Sequence, residues 1–203
     1  MLNTDKHRQI MFLILKDIFS SKLGKYLAFK GGTACYFLYG LDRFSTDLDF
    51  DLLEDFEQVD EEMVDILKKY GKVKKGHNIL LSYGEYDVNI KIDINRKIWK
   101  NNKYEIVNFY GTDIKVQDKS TIFANKLVSF IERNANRDIY DIYFFFKNLF
   151  DVNEKVIEER TGKTYKKALI QIREKLEKSP KNYKILDGLG EVLTQDQKNF
   201  CKK

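Results

Sequence analysis

Apolar residues at positions 10, 13, 14 and 18 recur at helical spacing and predict an amphipathic helix over residues 4–21, with Thr4 or Asp5 as its cap and Gly24 as its stop. A short apolar piece at 26–29 then runs into Lys30-Gly31-Gly32-Thr33, followed by a second apolar stretch to Tyr39 that closes at Gly40. This is the pattern of strand, glycine turn and helix. Asp47-Leu48-Asp49-Phe50-Asp51-Leu52 alternates strictly between acidic and apolar, which predicts a strand with one acidic face. Val59, Met63, Ile66 and Leu67 mark a helix over 57–70, ended by Gly71. Alternation returns at 78–83 and 86–94, with Gly84-Glu85 as a hairpin connection, and again at 105–110 and 112–117 around Gly111. Lys72-Val73-Lys74-Lys75 reads as a solvated turn.

From Asp118 the period is helical, over 121–133, 137–150, 153–161 and 164–178, and the single proline, Pro180, opens a looser C-terminal segment. The chain is therefore expected to be α+β: an N-terminal lobe, 1–117, carrying the sheet, and a helical lobe, 118–203. No internal repeat or heptad run interrupts this order.

Composition narrows the class. Of 203 residues, 43% are hydrophobic and 33% charged, with 15 Phe and 12 Tyr, which is too aromatic for a disordered chain and too charged for a bilayer. The apolar run at 10–15 is short and closes at Lys16-Asp17 without a small-residue cleavage site, so no signal peptide or membrane span is expected and the cytoplasm is the default location. Cys35 and Cys201 have no Cys or His at metal-ligand spacing, which argues against structural zinc. The net charge of +5 is uneven: residues 151–203 hold 13 Lys and Arg against 9 Asp and Glu. A basic tail favours polyanions, although surplus lysine is also an ordinary solubility device.

The chemistry concentrates in two places. Asp47 and Asp49, two apart on a strand, lie on one face with backbones about 6 to 7 Å apart. They can converge on one hard cation such as Mg²⁺, which is bound through carboxylates together with substrate phosphates. Asp93, between Ile92 and Ile94 on a later strand, can add a third carboxylate if the strands are neighbours. Gly31-Gly32-Thr33, where strand meets helix, has the form of a phosphate cradle: amides at a helix start bind anions, and glycine permits close approach. Alone, either feature is an ordinary solvated strand face or tight turn. Together, within one helix of each other, they suit a nucleoside triphosphate with its metal. The G-x-x-x-x-G-K-[ST] and G-x-G-x-x-G patterns are absent, which excludes P-loop and Rossmann readings.

The stretches Lys30-Gly31-Gly32-Thr33-Ala34 and 39–50, with Arg43-Phe44-Ser45-Thr46-Asp47-Leu48-Asp49-Phe50, resemble the signature of the AbiEii/AbiGii (MenT-like) nucleotidyltransferase toxins of the polymerase-β-like superfamily. Supporting matches are Ile92-Asp93-Ile94, Ala124-Asn125-Lys126-Leu127, Arg133, and 137–143. The resemblance implies a mixed sheet flanked by helices with a C-terminal helical lobe, and transfer of a nucleotide from NTP, with Mg²⁺ or Mn²⁺, onto an acceptor, foremost the tRNA 3′ end. It also implies a cognate antitoxin. Carried over, Lys30, Gly31, Gly32 and Thr33 hold the phosphates and Asp47, Asp49 and Asp93 the metal, with Asp93 as second ligand or base. Arg43 and Ser45 face the nucleotide, Lys126 is a triphosphate-binding cation, and Asp141, or Asp138 three residues before it, is the last motif's carboxylate. Two other readings stay open: a nucleotidyltransferase-like binding module without turnover, and an enzyme of this fold acting on a protein or small molecule.

Other residues have plainer readings. His7 and His77 are expected as exposed histidines, Cys35 as a small buried side chain, and the aromatic run Tyr140, Tyr143, Phe144, Phe145, Phe146 as helical core rather than a base-stacking platform.

Overall fold

The fold is that of a computed structural model, which describes residues 3–84, 89–180, 183–189 and 192–202. The chain divides into two compact units. One contains 1–38, 45–98 and 104–117, the other 39–44, 99–103 and 118–203.

The first unit is built on a seven-stranded mixed sheet. Its strands are β1 (Leu27–Lys30), β2 (Leu48–Leu52), β3 (Lys72–Lys75), β4 (Ile79–Ser82), β5 (Ile90–Asn95), β6 (Tyr104–Phe109) and β7 (Thr112–Gln117), in the order β3-β4-β5-β2-β1-β7-β6. The β1–β7 and β2–β5 pairs are parallel and the others antiparallel. Among the described residues it carries three α-helices, α1 (Thr4–Ser20), α2 (Gly31–Leu38) and α3 (Val59–Leu67), and a 3-10 turn at Lys22–Lys25.

Alternation along the strands gives the sheet two unlike faces. Leu27 and Phe29 pair with Leu52 and Phe50, and Leu48 and Phe50 with Ile92 and Ile94, forming an apolar face. The buried stripe of α1, Met11, Ile14, Leu15 and Ile18, lies against it, and the rings of Phe19 and Phe50 stand 6.3 Å apart. Each such side chain contributes about 1.5 to 3 kcal/mol when fully buried. The opposite face carries Lys30, Asp49 and Asp51, and the parallel partners Asp93 and Asn95.

Several boundaries depart from the sequence pattern. The N-cap of α1 is Asn3, whose side chain accepts from the Lys6 amide at 3.0 Å, rather than Thr4 or Asp5. Residues 72–75 are an edge strand, not a turn: register with Ser82 to Ile79 fixes them, while lysines at three of four positions leave the edge solvated and hide the alternation. Of the expected strand at 86–94 and its hairpin, residues 85–88 lie outside the described residues. The β6–β7 turn is a two-residue hairpin with Tyr110 at φ 49° and Gly111 at φ 84°, a conformation that favours glycine at the second place.

The second unit is helical: α4 (Lys119–Arg133), α5 (Asn136–Lys147), α6 (Glu154–Thr161), α7 (Tyr165–Glu177) and α8 (Gln195–Cys201). Asp118 caps α4 by accepting from the Thr121 amide at 2.7 Å, and Asn134 in the left-handed region ends it. Phe123, Phe144, Phe145 and Phe150 form the aromatic centre, with Phe123 and Phe145 ring centroids 5.0 Å apart. The aromatic run of α5 is thus only partly core: Tyr140, Phe144 and Phe145 are buried, while Tyr143 and Phe146 are each 43% exposed. Helix α8 has a Thr194–Gln197 capping box, so the segment after Pro180 includes a capped helix that the sequence pattern does not predict.

Candidate functional site

Strand register brings two of the expected carboxylates side by side. Asp49 of β2 lies directly opposite Asp93 of β5, on neighbouring parallel strands about 5 Å apart. Across the other edge of β2, Asp49 faces Lys30 of β1. The chain leaves β1 through Gly31, whose φ of 79° lies in the left-handed region. A Cβ at Gly31 would collide with Asp49 Oδ2 and stand 3.1 Å from its Cγ. Glycine is required here twice over, for the backbone angle and because α2 begins directly against the Asp49 carboxylate. Gly32 follows as a buried residue of the first turn of α2.

The residues leading into β2 are held by their carbonyls. Thr33, fully buried on α2, donates its hydroxyl to the Asp47 carbonyl and lies 2.9 Å from the Ser45 hydroxyl. From α1, His7 Nε2 sits 2.9 Å from the Thr46 carbonyl, and its Nδ1 sits 2.5 Å from the Tyr83 hydroxyl. A carbonyl can only accept, so Nε2 carries the proton, and in the neutral ring the Tyr83 hydroxyl donates to Nδ1. Burial lowers the His7 pKa, against the opposing pull of the Thr46 carbonyl and the Asp47 charge. His7 is therefore a buried, doubly bonded group, not the exposed helix residue its isolation in the sequence suggests, whereas His77 is exposed.

Asp51 continues the acidic alternation but has a different setting. Fully buried, it accepts from Lys30 Nζ at 2.6 Å, Asn95 Nδ2 at 3.1 Å, the Tyr104 hydroxyl at 2.8 Å and Gln117 Nε2 at 2.6 Å. One carboxylate thus ties together β1, β5, β6 and β7, and Lys30, expected on the phosphates, is drawn to it. The alternation contained this signal, since Asp51 is the third acid of the run, although the pattern alone does not separate it from the first two.

In the second unit a denser ionic cluster surrounds α5. Arg43 grips Asp141 with both arms, Nε to Oδ1 at 2.6 Å and Nη2 to Oδ2 at 2.8 Å, and Lys126 Nζ lies 2.7 Å from Asp141 Oδ2 and 3.3 Å from Asp138 Oδ1. Arg133 completes a fork to Asp138 at 2.7 and 2.8 Å. Both carboxylates are fully buried. Burial pushes the Asp141 pKa up, but the Lys126 and Arg43 charges outweigh it and the net direction is down; for Lys126 burial lowers the pKa, while Asp141 and Asp138 carry it upward overall. Asp138 and Asp141 thus share one cationic partner, which explains why spacing alone does not choose between them.

Among the described residues no three His, Cys, Asp or Glu side chains are placed to hold a metal ion by themselves. Asp93 Oδ2 lies 3.7 Å from Lys91 Nζ. Oxygen donors without a complete protein cage suit Mg²⁺, which is commonly held by one or two carboxylates while substrate phosphates complete its shell. The donor set of Asp47 and Asp49, with Asp93 alongside, therefore fits such an ion when a nucleotide is bound. Among the described residues no helix is long and apolar enough to cross a membrane.

A family model described as nucleotidyl transferase AbiEii toxin, type IV TA system, matches residues 13–196. No curated protein matches the chain. Among solved structures, a candidate nucleotidyltransferase from Helicobacter pylori aligns over 99% of this chain and 92% of its own, with 20% identity and a TM-score of 0.59. JHP933 from the same organism aligns over 72% and 67%, with 22% identity and a TM-score of 0.55. MenT4, a nucleotidyltransferase toxin from Mycobacterium tuberculosis, aligns over 76% and 62%, with 18% identity and a TM-score of 0.56. At these identities the three structures establish the shared fold.

Proposed function

The chain belongs to the AbiEii nucleotidyltransferase toxin family and catalyses nucleotidyl transfer, and we propose that it moves a nucleoside monophosphate from an NTP to the 3′ hydroxyl of an RNA, foremost a tRNA. In the proposed reaction the acceptor oxygen attacks the α-phosphorus, the bond to the β-phosphate oxygen breaks, pyrophosphate leaves, and the hydroxyl proton passes to a base. The observation that supports this reading best is the placing of Gly31, at positive φ, against Asp49, which is itself in register with Asp93. The start of α2, read as the phosphate cradle, thus lies in the same unit as the two carboxylates and directly against one of them.

Asp47 and Asp49 would hold the divalent ion, and its charge would there offset that of the phosphates and lower the pKa of the acceptor hydroxyl. Amides at the start of α2 orient the triphosphate. Asp93, 43% exposed at its side chain and 3.7 Å from Lys91 Nζ, is read as receiving the acceptor proton or joining the metal shell. Thr33 and His7 fix the backbone from which the first carboxylate projects. A cognate antitoxin encoded with the chain follows from its family.

The test incubates the protein with each α-labelled NTP in turn, Mg²⁺ and total RNA. Label at the 3′ end of small RNA is the expected result. Label in protein would move the acceptor to another class, and none with any NTP or acceptor would contradict turnover.

A further inference from the structure

We propose that His7 is a positioning residue for divalent-ion binding, fixing the backbone from which Asp47 emerges through the Thr46 carbonyl. The inference rests on the reading of Asp47 and Asp49 as the metal ligands.

Two carbonyls in succession, Thr46 and Asp47, are each taken by a side chain from a different helix: His7 of α1 at 2.9 Å and Thr33 of α2. Both side chains are fully buried. Residues 45–47 precede β2 and so lack the ladder bonds that fix Asp49 against Lys30 and Asp93. Outside a ladder, the orientation of the Asp47 side chain depends on what holds its own peptide units, together with the long contact of the Thr46 hydroxyl, 3.5 Å from Asp47 Oδ1. The two carbonyl bonds supply that hold, one on each side of the Asp47 nitrogen and carbon.

The imidazole is itself oriented. Tyr83, just after β4, meets Nδ1 at 2.5 Å, and its ring packs edge-on to the imidazole with centroids 5.4 Å apart. Lys6 lies 5.7 Å from the Tyr83 ring centroid. The Thr46 carbonyl demands a proton on Nε2, and the Tyr83 hydroxyl donates a hydrogen bond to the bare Nδ1, so a single tautomer satisfies both neighbours. A buried histidine used only to fill space needs neither bond. This one joins α1, the chain after β4 and the entry to β2, a chain of contacts that ends one residue from a metal ligand. Partners of this kind, which orient a ligand without touching the ion, typically change metal affinity or activity by 10- to 100-fold when removed.

The experiment measures Mn²⁺ binding by electron paramagnetic resonance with a non-hydrolysable NTP present, on the full chain and its variants, alongside kcat and KM for the NTP. Mn²⁺ is the probe because its free and bound signals differ, and no turnover is needed. His7→Ala is expected to weaken Mn²⁺ binding by about 10- to 100-fold and to lower kcat at fixed metal, with KM for the NTP within about twofold once metal is saturating. His7→Gln, whose side-chain amide can still donate to the Thr46 carbonyl, is expected to recover most of the affinity. Tyr83→Phe keeps the imidazole but removes its orienting hydroxyl, and is expected to lose severalfold; it serves as the deciding variant if His7→Ala does not fold. Wild-type Mn²⁺ affinity in folded His7→Ala, or in folded Tyr83→Phe where His7→Ala fails to fold, overturns the proposal. A wild-type chain that binds no Mn²⁺ with the nucleotide overturns the metal reading itself, a result distinct from unchanged variants of a protein that does bind.

Discussion

Asp49 and Asp141 carry the same functional group, yet each unit surrounds it differently. Asp141 is fully buried between Arg43 and Lys126, with a two-armed guanidinium bond on one side and an ammonium at 2.7 Å on the other. Asp49 has the backbone of Gly31 pressed against it and a second carboxylate, Asp93, directly opposite on the next strand. In the first setting the protein supplies the neutralising charge, and the carboxylate helps hold the helical unit together. In the second, two acids stand on adjacent strands, with Lys30 opposite Asp49 but bonded to Asp51, and Lys91 3.7 Å from Asp93, an arrangement of more open charges that can still take an added cation. Carboxylate identity alone therefore says little about role; the burial and the direct ionic partners of each say more.

The largest effect expected from breaking this contrast is at Asp141. Asp141→Asn leaves Arg43 and Lys126 buried around a neutral amide, and removing one partner of a buried pair costs about 3 to 5 kcal/mol. Urea unfolding followed by circular dichroism checks it; a loss below about 1 kcal/mol would show that the cluster is not holding the fold. Lys126→Ala sharpens the same point. If Lys126 serves chiefly as the triphosphate cation suggested by its place in Ala124-Asn125-Lys126-Leu127, transfer falls about a hundredfold at near-normal stability. If the ion cluster is its main task, stability falls with it.

Next in size is Asp49→Asn. It is expected to cut transfer by about a hundredfold or more, because a metal ligand is lost where charge develops. The midpoint of unfolding should stay the same or rise, since one of two neighbouring acids is removed. Turnover close to wild type at saturating NTP and Mg²⁺ would take Asp49 out of the metal site.

Gly31→Ala is expected to cost less stability than Asp141→Asn and less activity than Asp49→Asn. A left-handed backbone costs an L-residue about 1 to 2 kcal/mol, and here the added methyl also meets Asp49. The variant should bind NTP more weakly in calorimetry than its stability loss explains; unchanged affinity in the folded protein would make the glycine a purely structural need.

The smallest effect concerns acid. The folded pKa of Asp141 lies below its ordinary value because Lys126 and Arg43 outweigh burial. Its contribution to stability is then complete above the unfolded value of about 3.9 and is lost as pH falls through the lower folded value. Wild type should lose stability more steeply than Asp141→Asn over that acid window. Parallel slopes would mean that the Asp141 charge does not favour the fold.

Much of the first unit was legible because strand alternation is a local signal. The run from Asp47 to Leu52 predicts β2 and its acidic face, although the strand begins one residue later, at Leu48, and leaves Asp47 outside the ladder; the Gly31-Gly32 turn predicts the start of α2. The register that sets Asp49 against Asp93 is a property of strands 44 residues apart in the chain: alternation and the resemblance of Ile92-Asp93-Ile94 to a family block marked Asp93 as a candidate, but not that its strand adjoins β2. His7 was illegible for the same reason in stronger form: its partners lie 39 and 76 residues away, and a histidine in a helix carries no local mark of burial. Edge strand β3 escaped notice because its lysines conceal the period. Helix α8 escaped because no apolar stripe accompanies its capping box. Arg43 was recognisable as part of a motif, but its pairing with Asp141, 98 residues on, belongs to tertiary structure.

The account stands most directly on where the divalent ion binds. Mn²⁺ titration with a non-hydrolysable NTP, read by electron paramagnetic resonance, should show nucleotide-dependent binding in the wild type and its loss in Asp49→Asn, with Asp93→Asn intermediate. Undiminished Mn²⁺ affinity in a folded Asp49→Asn protein would contradict the assignment of the acidic face of β2 as the metal site.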